Sequence, residues 1–149
     1  MVSFLRYWLP LLAWMCVIFS ASADTQSTQR TSRLIEPLLR WLWPDISPEG
    51  IEAVRWVVRK GAHLTVYAIL AWLWWRALRR PVRRDARPWS WPVAGWALLG
   101  VMLYAASDEW HQSFVANRTG AVRDVLIDTV GGMLGLGVLW LIYRRRRNH

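Results

Sequence analysis

Residues 107–128 read SDEWHQSFVANRTGAVRDVLID, a dense polar block set between two apolar stretches that are each long enough to cross a bilayer. Within it Asp108, Glu109, His111, Gln112, Arg118, Asp124 and Asp128 fall at the ends of two hydrophobic segments, where ionisable groups are costly unless paired or used. The block thus sets two expectations at once: helices on either side of a polar turn, and a site of action at that turn.

Outward from the block, the chain stays apolar. Hydrophobic residues make up 54% of the 149, and thirteen Trp exceed the content of an ordinary soluble domain. Four segments, 7–23, 61–78, 89–107 and 125–143, each approach the ~20 residues a helix needs to cross the hydrocarbon core. The expected fold is all-α, a four-helix integral membrane bundle with an additional outer interfacial amphipathic helix. It forms one domain over 1–149, with an outer segment 24–60, an Arg-rich loop 79–88 and a tail 144–149.

A net charge of +9 would suggest nucleic acid in a soluble protein, but here the charge sorts by topology. Arg6, the loop group Arg76, Arg79, Arg80, Arg83, Arg84 and Arg87, and the tail Arg144 to Arg147 supply eleven cations beside alternate segment ends, with only Asp85 among them. The other ends carry eight cations against nine carboxylates. The positive-inside rule then places both termini and the Arg-rich loop in the cytoplasm and the 107–128 block outside, with no nucleic-acid partner.

The first segment also reads as a signal peptide, since MVSFLR and an apolar run precede Ala21-Ser22-Ala23; a retained helix is the preferred reading. Cys16 is the only cysteine, so no internal disulfide forms, and no small residue stands before it as a lipidation signal requires. In the outer segment, ADTQSTQRTS reads as a turn-rich entry. Leu34, Ile35, Leu38, Leu39 and Leu42 then repeat with helical spacing, as an amphipathic helix on the outer leaflet would. Ser47-Pro48-Glu49 has the form of a helix start, so the second spanning helix begins outside the membrane. Most of the Trp residues fall near segment boundaries, where indole suits the headgroup region.

Helix periodicity groups the polar residues. Lys60, His63 and Tyr67 share one face of the second span; Asp108 and His111 share a face at the end of the third, where a carboxylate beside an imidazole fixes its tautomer. Asp124 and Asp128 open the fourth span on a face continued by Gly131, Gly132 and Gly135, and Gly131 and Gly135 form a GxxxG pair for close helix approach, available to a partner helix. Asp124 equally suits a helix N-cap. Three readings follow. The first is an anion or phosphate site, with Lys60, Arg118 and Arg123 binding a lipid-linked or cell-wall group and His111 as acid or base. The second is a zinc or manganese site, which the absence of HExxH or paired CxxC does not favour. The third is a buried ion-pair network that only holds the helices together.

Three stretches, LPLLAWMCVIFSAS, RKGAHLTVYAILA and SDEWHQSFVANRTGAVRDVLIDTVGGMLG, resemble the VanZ-like family, whose members look like SDExHQxFxxxRxGxxxDxxID before a glycine-containing helix. The resemblance covers most of the chain. It implies a small multi-pass protein of the bacterial cytoplasmic membrane, related to an accessory factor in teicoplanin-type glycopeptide resistance, with no settled chemistry, metal or cofactor. Matched residue by residue, it implies roles for Arg59, Lys60, His63, Tyr67, Ser107, Asp108, Glu109, His111, Gln112, Arg118, Asp124 and Asp128. In its enzyme form His111 is the acid or base, and Asp108 and Glu109 orient it or bind a metal. Lys60, His63, Tyr67, Gln112, Arg118, Asp124 and Asp128 then bind a membrane lipid or lipid-linked envelope component. One departure is Val66, where many relatives carry a Glu.

Overall fold

Five α-helices and no strands form among the residues that the computed structural model describes, 2–23, 27–81, 87–115 and 121–147. In chain order they are α1 (Val2–Ala23), α2 (Ser27–Leu42), α3 (Pro48–Arg79), α4 (Trp91–Gln112) and α5 (Val122–Arg147).

Helix α3 starts where the sequence places it. Ser47 is extended (φ −69°, ψ 157°), its hydroxyl accepts the Gly50 N–H at 3.1 Å, and Pro48 takes the first helical position, where no N–H is needed. Backbone hydrogen bonding, and then the Ser47 hydroxyl, holds the Glu49 carboxyl below its ordinary range in this first turn. Ser47→Ala is expected to cost about 1 kcal/mol by orphaning that N–H, read as a lowered midpoint in thermal unfolding of the detergent-solubilised protein.

Helix α2 is the expected amphipathic element, but it begins at Ser27, inside the stretch read as turn-rich. Ser, Thr and Gln lie within a few tenths of a kcal/mol of good helix formers, so an amphipathic run behind them can extend over them. Glu36 fastens the helix, accepting from Arg40 one turn on at 3.0 Å and from Arg55 of α3 at 2.6 Å.

The remaining helices form a bundle whose directions follow from paired contacts. Helices α3 and α5 run parallel: Lys60 meets Asp124, His63 meets Asp128, Leu64 faces Gly131 and Ala68 faces Gly135. Helix α4 runs back against α3, with Tyr67 at Asp108 and Trp74 over Gly100, and against α5, with Leu98 and Val101 over Gly132. Helix α1 is antiparallel to α3. Its Trp14 indole donates to the Val66 carbonyl at 3.0 Å, and the Tyr7 hydroxyl donates to the Pro81 carbonyl.

Small residues set the spacing. A Cβ on Gly131 would lie 2.6 Å from the Leu64 carbonyl oxygen, and one on Gly135 2.5 Å from that of Ala68, so α3 and α5 meet backbone to backbone. The GxxxG face read as open to a partner helix is therefore filled by α3 of the same chain. Helix α4 offers Ala94, Ala97, Val101 and Ala105 at spacings of three and four to the interior. Leu9, Leu12, Phe19, Trp96, Leu103, Met133, Leu134 and Val138 face outward instead. So many exposed large apolar side chains suit a lipid-facing bundle better than a soluble monomer.

Among the described residues, two helices are long and apolar enough to cross a membrane, over Phe4–Ser22 and Val122–Arg146. Helices α3 and α4 do not meet that measure by composition, because Trp72, Trp74, Trp75 and Arg76 in one and Trp91, Trp96 and Tyr104 in the other dilute their aliphatic content. The four-span expectation is thus met by two helices on composition alone.

One end of the bundle gathers arginines and indoles. Trp75 stacks on Trp89 at 5.8 Å between centroids, Tyr143 meets Trp75 edge-on at 5.2 Å, and the Arg79 guanidinium lies 5.3 Å from the Trp75 ring. Trp75 is buried in the bundle, whereas Trp72 is exposed.

Candidate functional site

The opposite end gathers the acidic and imidazole groups, because the up-and-down order of the helices brings the end of α1, the first half of α3, the end of α4 and the start of α5 together. Lys60, His63, Tyr67, Asp108, Glu109, Gln112, Asp124 and Asp128 all lie there. Arg118 falls outside the described residues.

Asp108 is the hub. It is 2% exposed, and its Oδ2 accepts from three elements: the Ser22 hydroxyl of α1 at 2.7 Å, the Tyr67 hydroxyl of α3 at 3.3 Å and the Gln112 amide at 3.0 Å. The second amide hydrogen of Gln112 reaches Glu109 Oε1 at 3.1 Å, so one NH2 group bridges two neighbouring carboxylates. Glu109 Oε2 accepts the backbone N–H of Ala121 at 3.0 Å. Ala121 precedes the first residue of α5, where free N–H groups point outward, so α4 supplies the carboxylate that satisfies the start of α5.

A second layer joins α3 to α5. Lys60 forms an ion pair with Asp124, which is the third residue of α5 and not its N-cap. One turn deeper, His63 Nδ1 lies 3.0 Å from Oδ1 of Asp128, a residue with no exposed surface. This is a carboxylate–imidazole pair of the kind the sequence suggested for Asp108 and His111, formed between residues 65 positions apart.

His111 does something else. Its ring stacks on Phe19 of α1 at 4.2 Å between centroids, and its Nδ1 is buried without a hydrogen-bond partner among the described residues. Among the described residues no hydrogen bond joins it to Asp108, whose Oδ2 is already taken by Ser22, Tyr67 and Gln112. Arg123 is exposed and lies 6.0 Å from the Trp56 ring. Ser22 is the residue missed from sequence; it was absorbed into the small-residue pattern Ala21-Ser22-Ala23, although a hydroxyl ending an apolar helix was the signal.

Chemically, the arrangement is rich in acceptors. Oδ1 of Asp108 and Oδ2 of Asp128 are buried and accept no hydrogen bond from the described residues. Lys60, proposed from sequence for an anion, is engaged by Asp124. Among the described residues no three His, Cys, Asp or Glu side chains converge as metal ligands.

Among protein-family models, the one described as VanZ/LLP1 matches residues 7–143, nearly the whole chain. Comparison with curated proteins and with solved structures gave no match.

Proposed function

Because the chain belongs to the VanZ/LLP1 family, we propose that it crosses the bacterial cytoplasmic membrane four times, with both termini inside, and acts at the outer face on an envelope lipid or cell-surface component. The consequence is altered susceptibility to teicoplanin-type glycopeptides. One observation carries this reading. The helix order puts Asp108, Glu109, Asp124 and Asp128 at one end and Arg6, Arg76, Arg79, Arg80 and the tail arginines at the other, as the positive-inside rule requires of a four-span protein with its acidic end outside.

The chemistry of that end favours a ligand that donates hydrogen bonds. Two buried carboxylate oxygens lack donors among the described residues, and the one lysine is paired. Sugar hydroxyls, amides or an ammonium group of a wall component suit such acceptors better than a bare phosphate does. Binding without chemistry is the simplest form of this activity. The His63–Asp128 pair supports a second form, in which that imidazole moves a proton on the bound component; His111, with no carboxylate partner among the described residues, is the weaker acid or base.

The test is a susceptibility panel of teicoplanin, vancomycin and a lipoglycopeptide in a sensitive Gram-positive host. Wild type, Asp108→Asn and His111→Ala are compared at matched membrane levels. Asn keeps an acceptor for Ser22, Tyr67 and Gln112 while removing the charge. Wild type is expected to raise teicoplanin tolerance and Asp108→Asn to abolish the rise. No shift with wild type removes the envelope role, and a full shift with Asp108→Asn removes the acidic end as the site.

A further inference from the structure

The arginine end holds a pair of cations that the outer site does not use. Arg6 of α1 and Arg76 of α3 pack on the same ring: their guanidinium carbons lie 5.6 Å and 5.2 Å from the centroid of Tyr7. Tyr7 is itself fixed, only 6% exposed, with its hydroxyl donating to the Pro81 carbonyl just past the end of α3. The chain turns there through Arg80, a non-glycine residue at φ 46°. Arg79 differs from the pair, being buried against Trp75 and Tyr143 and tied to the Arg87 carbonyl.

Neither Arg6 nor Arg76 has a carboxylate or hydrogen-bonding partner among the described residues. Two unneutralised guanidiniums set against one ring raise the local positive potential, and a bound anion offsets it. A guanidinium presents paired N–H donors that match the oxygens of a phosphate. The surroundings indicate which phosphate. Phe4, Leu5 and Leu9 of α1 and Trp72 and Leu78 of α3 are exposed on the same two helices, so the cations border an apolar surface along which acyl chains can lie.

We propose that Arg6, Arg76 and Tyr7 form a cradle for the phosphodiester of an anionic phospholipid in the inner leaflet, with its acyl chains along α1 and α3. The cradle rests on the membrane orientation given under Proposed function. Its energetic logic is that of a basic pocket between spanning helices on the cytoplasmic side. The stacking on Tyr7 pre-orients both side chains, so less rotamer freedom is lost when the lipid arrives.

The experiment measures binding of phosphatidylglycerol, phosphatidylcholine and inorganic phosphate to the purified full chain in detergent, by native mass spectrometry and by the lipid-induced shift in thermal unfolding. Wild type is expected to retain phosphatidylglycerol over phosphatidylcholine. Arg6→Gln/Arg76→Gln is expected to weaken that retention roughly twenty-five-fold, since the guanidinium–phosphate hydrogen bonds lost with each side chain contribute on the order of fivefold. Arg145→Gln/Arg146→Gln, which removes the same charge from the exposed tail, is expected to change it less than threefold, about the size of a diffuse screening effect. Arg6→Lys/Arg76→Lys tests the planar donors separately and is expected to fall between. Unfolding without lipid shows which variants fold; if the double Gln variant does not, each single Gln variant is expected to lose about fivefold.

Equal losses in the cradle and tail variants overturn the cradle in favour of diffuse electrostatics. An equal response to inorganic phosphate overturns the lipid as occupant, and no preference for phosphatidylglycerol overturns the proposal outright. None of these results depends on the susceptibility panel or on which side of the membrane each end lies, so a failure here is distinguishable from a failure of the proposed function.

Discussion

Gly135→Ala is expected to push α5 off α3 and to destabilise the bundle by about 2–3 kcal/mol, the upper range for overpacking a close contact. The added methyl carbon would sit 2.5 Å from the Ala68 carbonyl oxygen and 2.8 Å from its Cα, and backbone on both sides leaves no flexible side chain to yield. Gly131→Ala meets the Leu64 backbone in the same way and is expected to behave alike. Gly137, on the same helix, has nothing within 4 Å of its would-be Cβ. There alanine is expected to be neutral or to stabilise by up to about 1 kcal/mol, the ordinary helix preference of Ala over Gly. Opposite signs at two glycines on one helix, read as unfolding midpoints in detergent, separate packing from propensity. Equal effects would mean that α3 and α5 do not meet at this register.

His63→Leu is the second change with a large expected effect. It leaves the Asp128 carboxylate, which has no exposed surface, without its imidazole partner. Removing one member of a buried pair costs about 3–5 kcal/mol, because the remaining charge is neither solvated nor compensated. His63→Leu/Asp128→Leu is expected to recover most of that loss, since two apolar side chains in place of the pair leave nothing uncompensated. The double-mutant cycle, measured by the same unfolding assay, is therefore expected to be strongly non-additive. Additive losses would show that the two side chains do not form a pair.

The order of these effects follows from how the acidic end is built. Asp108 and Asp128 lie in two layers, each joining helices that are distant in sequence. One layer takes its donors from α1, α3 and α4, and the other takes its imidazole from α3. A carboxylate that holds the helices together also presents its second oxygen without a described donor, so the ligand binding proposed above would draw on the same residues as the structure. Asp108→Asn separates the two roles better than Asp108→Ala, because the amide keeps an acceptor oxygen.

Features governed by local physics were legible in the sequence. The start of α3 follows from Ser47 and Pro48, a cap and a first-turn residue whose chemistry needs no distant partner. The separation of arginines from carboxylates by segment end anticipated the two poles of the bundle. The glycines of α5 announced a close helix contact, but not which helix, since GxxxG sets a distance and carries no partner identity. Non-local pairings were misassigned for a definite reason. Asp108 and His111 share a helix face, which made them the obvious pair, yet Ser22, Tyr67 and Gln112 take the oxygen first, and His111 turns to Phe19. The pair that does form, His63 with Asp128, needs the parallel register of α3 and α5, which helix periodicity does not encode.

The most direct test of the account is the side of the membrane on which each pole lies. In a Cys16→Ser background, a cysteine is placed at Ser113, exposed just past α4, or at Arg145, exposed near the end of α5, and intact Gram-positive cells are treated with a membrane-impermeant maleimide. Labelling is expected at 113 in intact cells and at 145 only after lysis. Labelling at 145 in intact cells with 113 protected would contradict the proposed orientation.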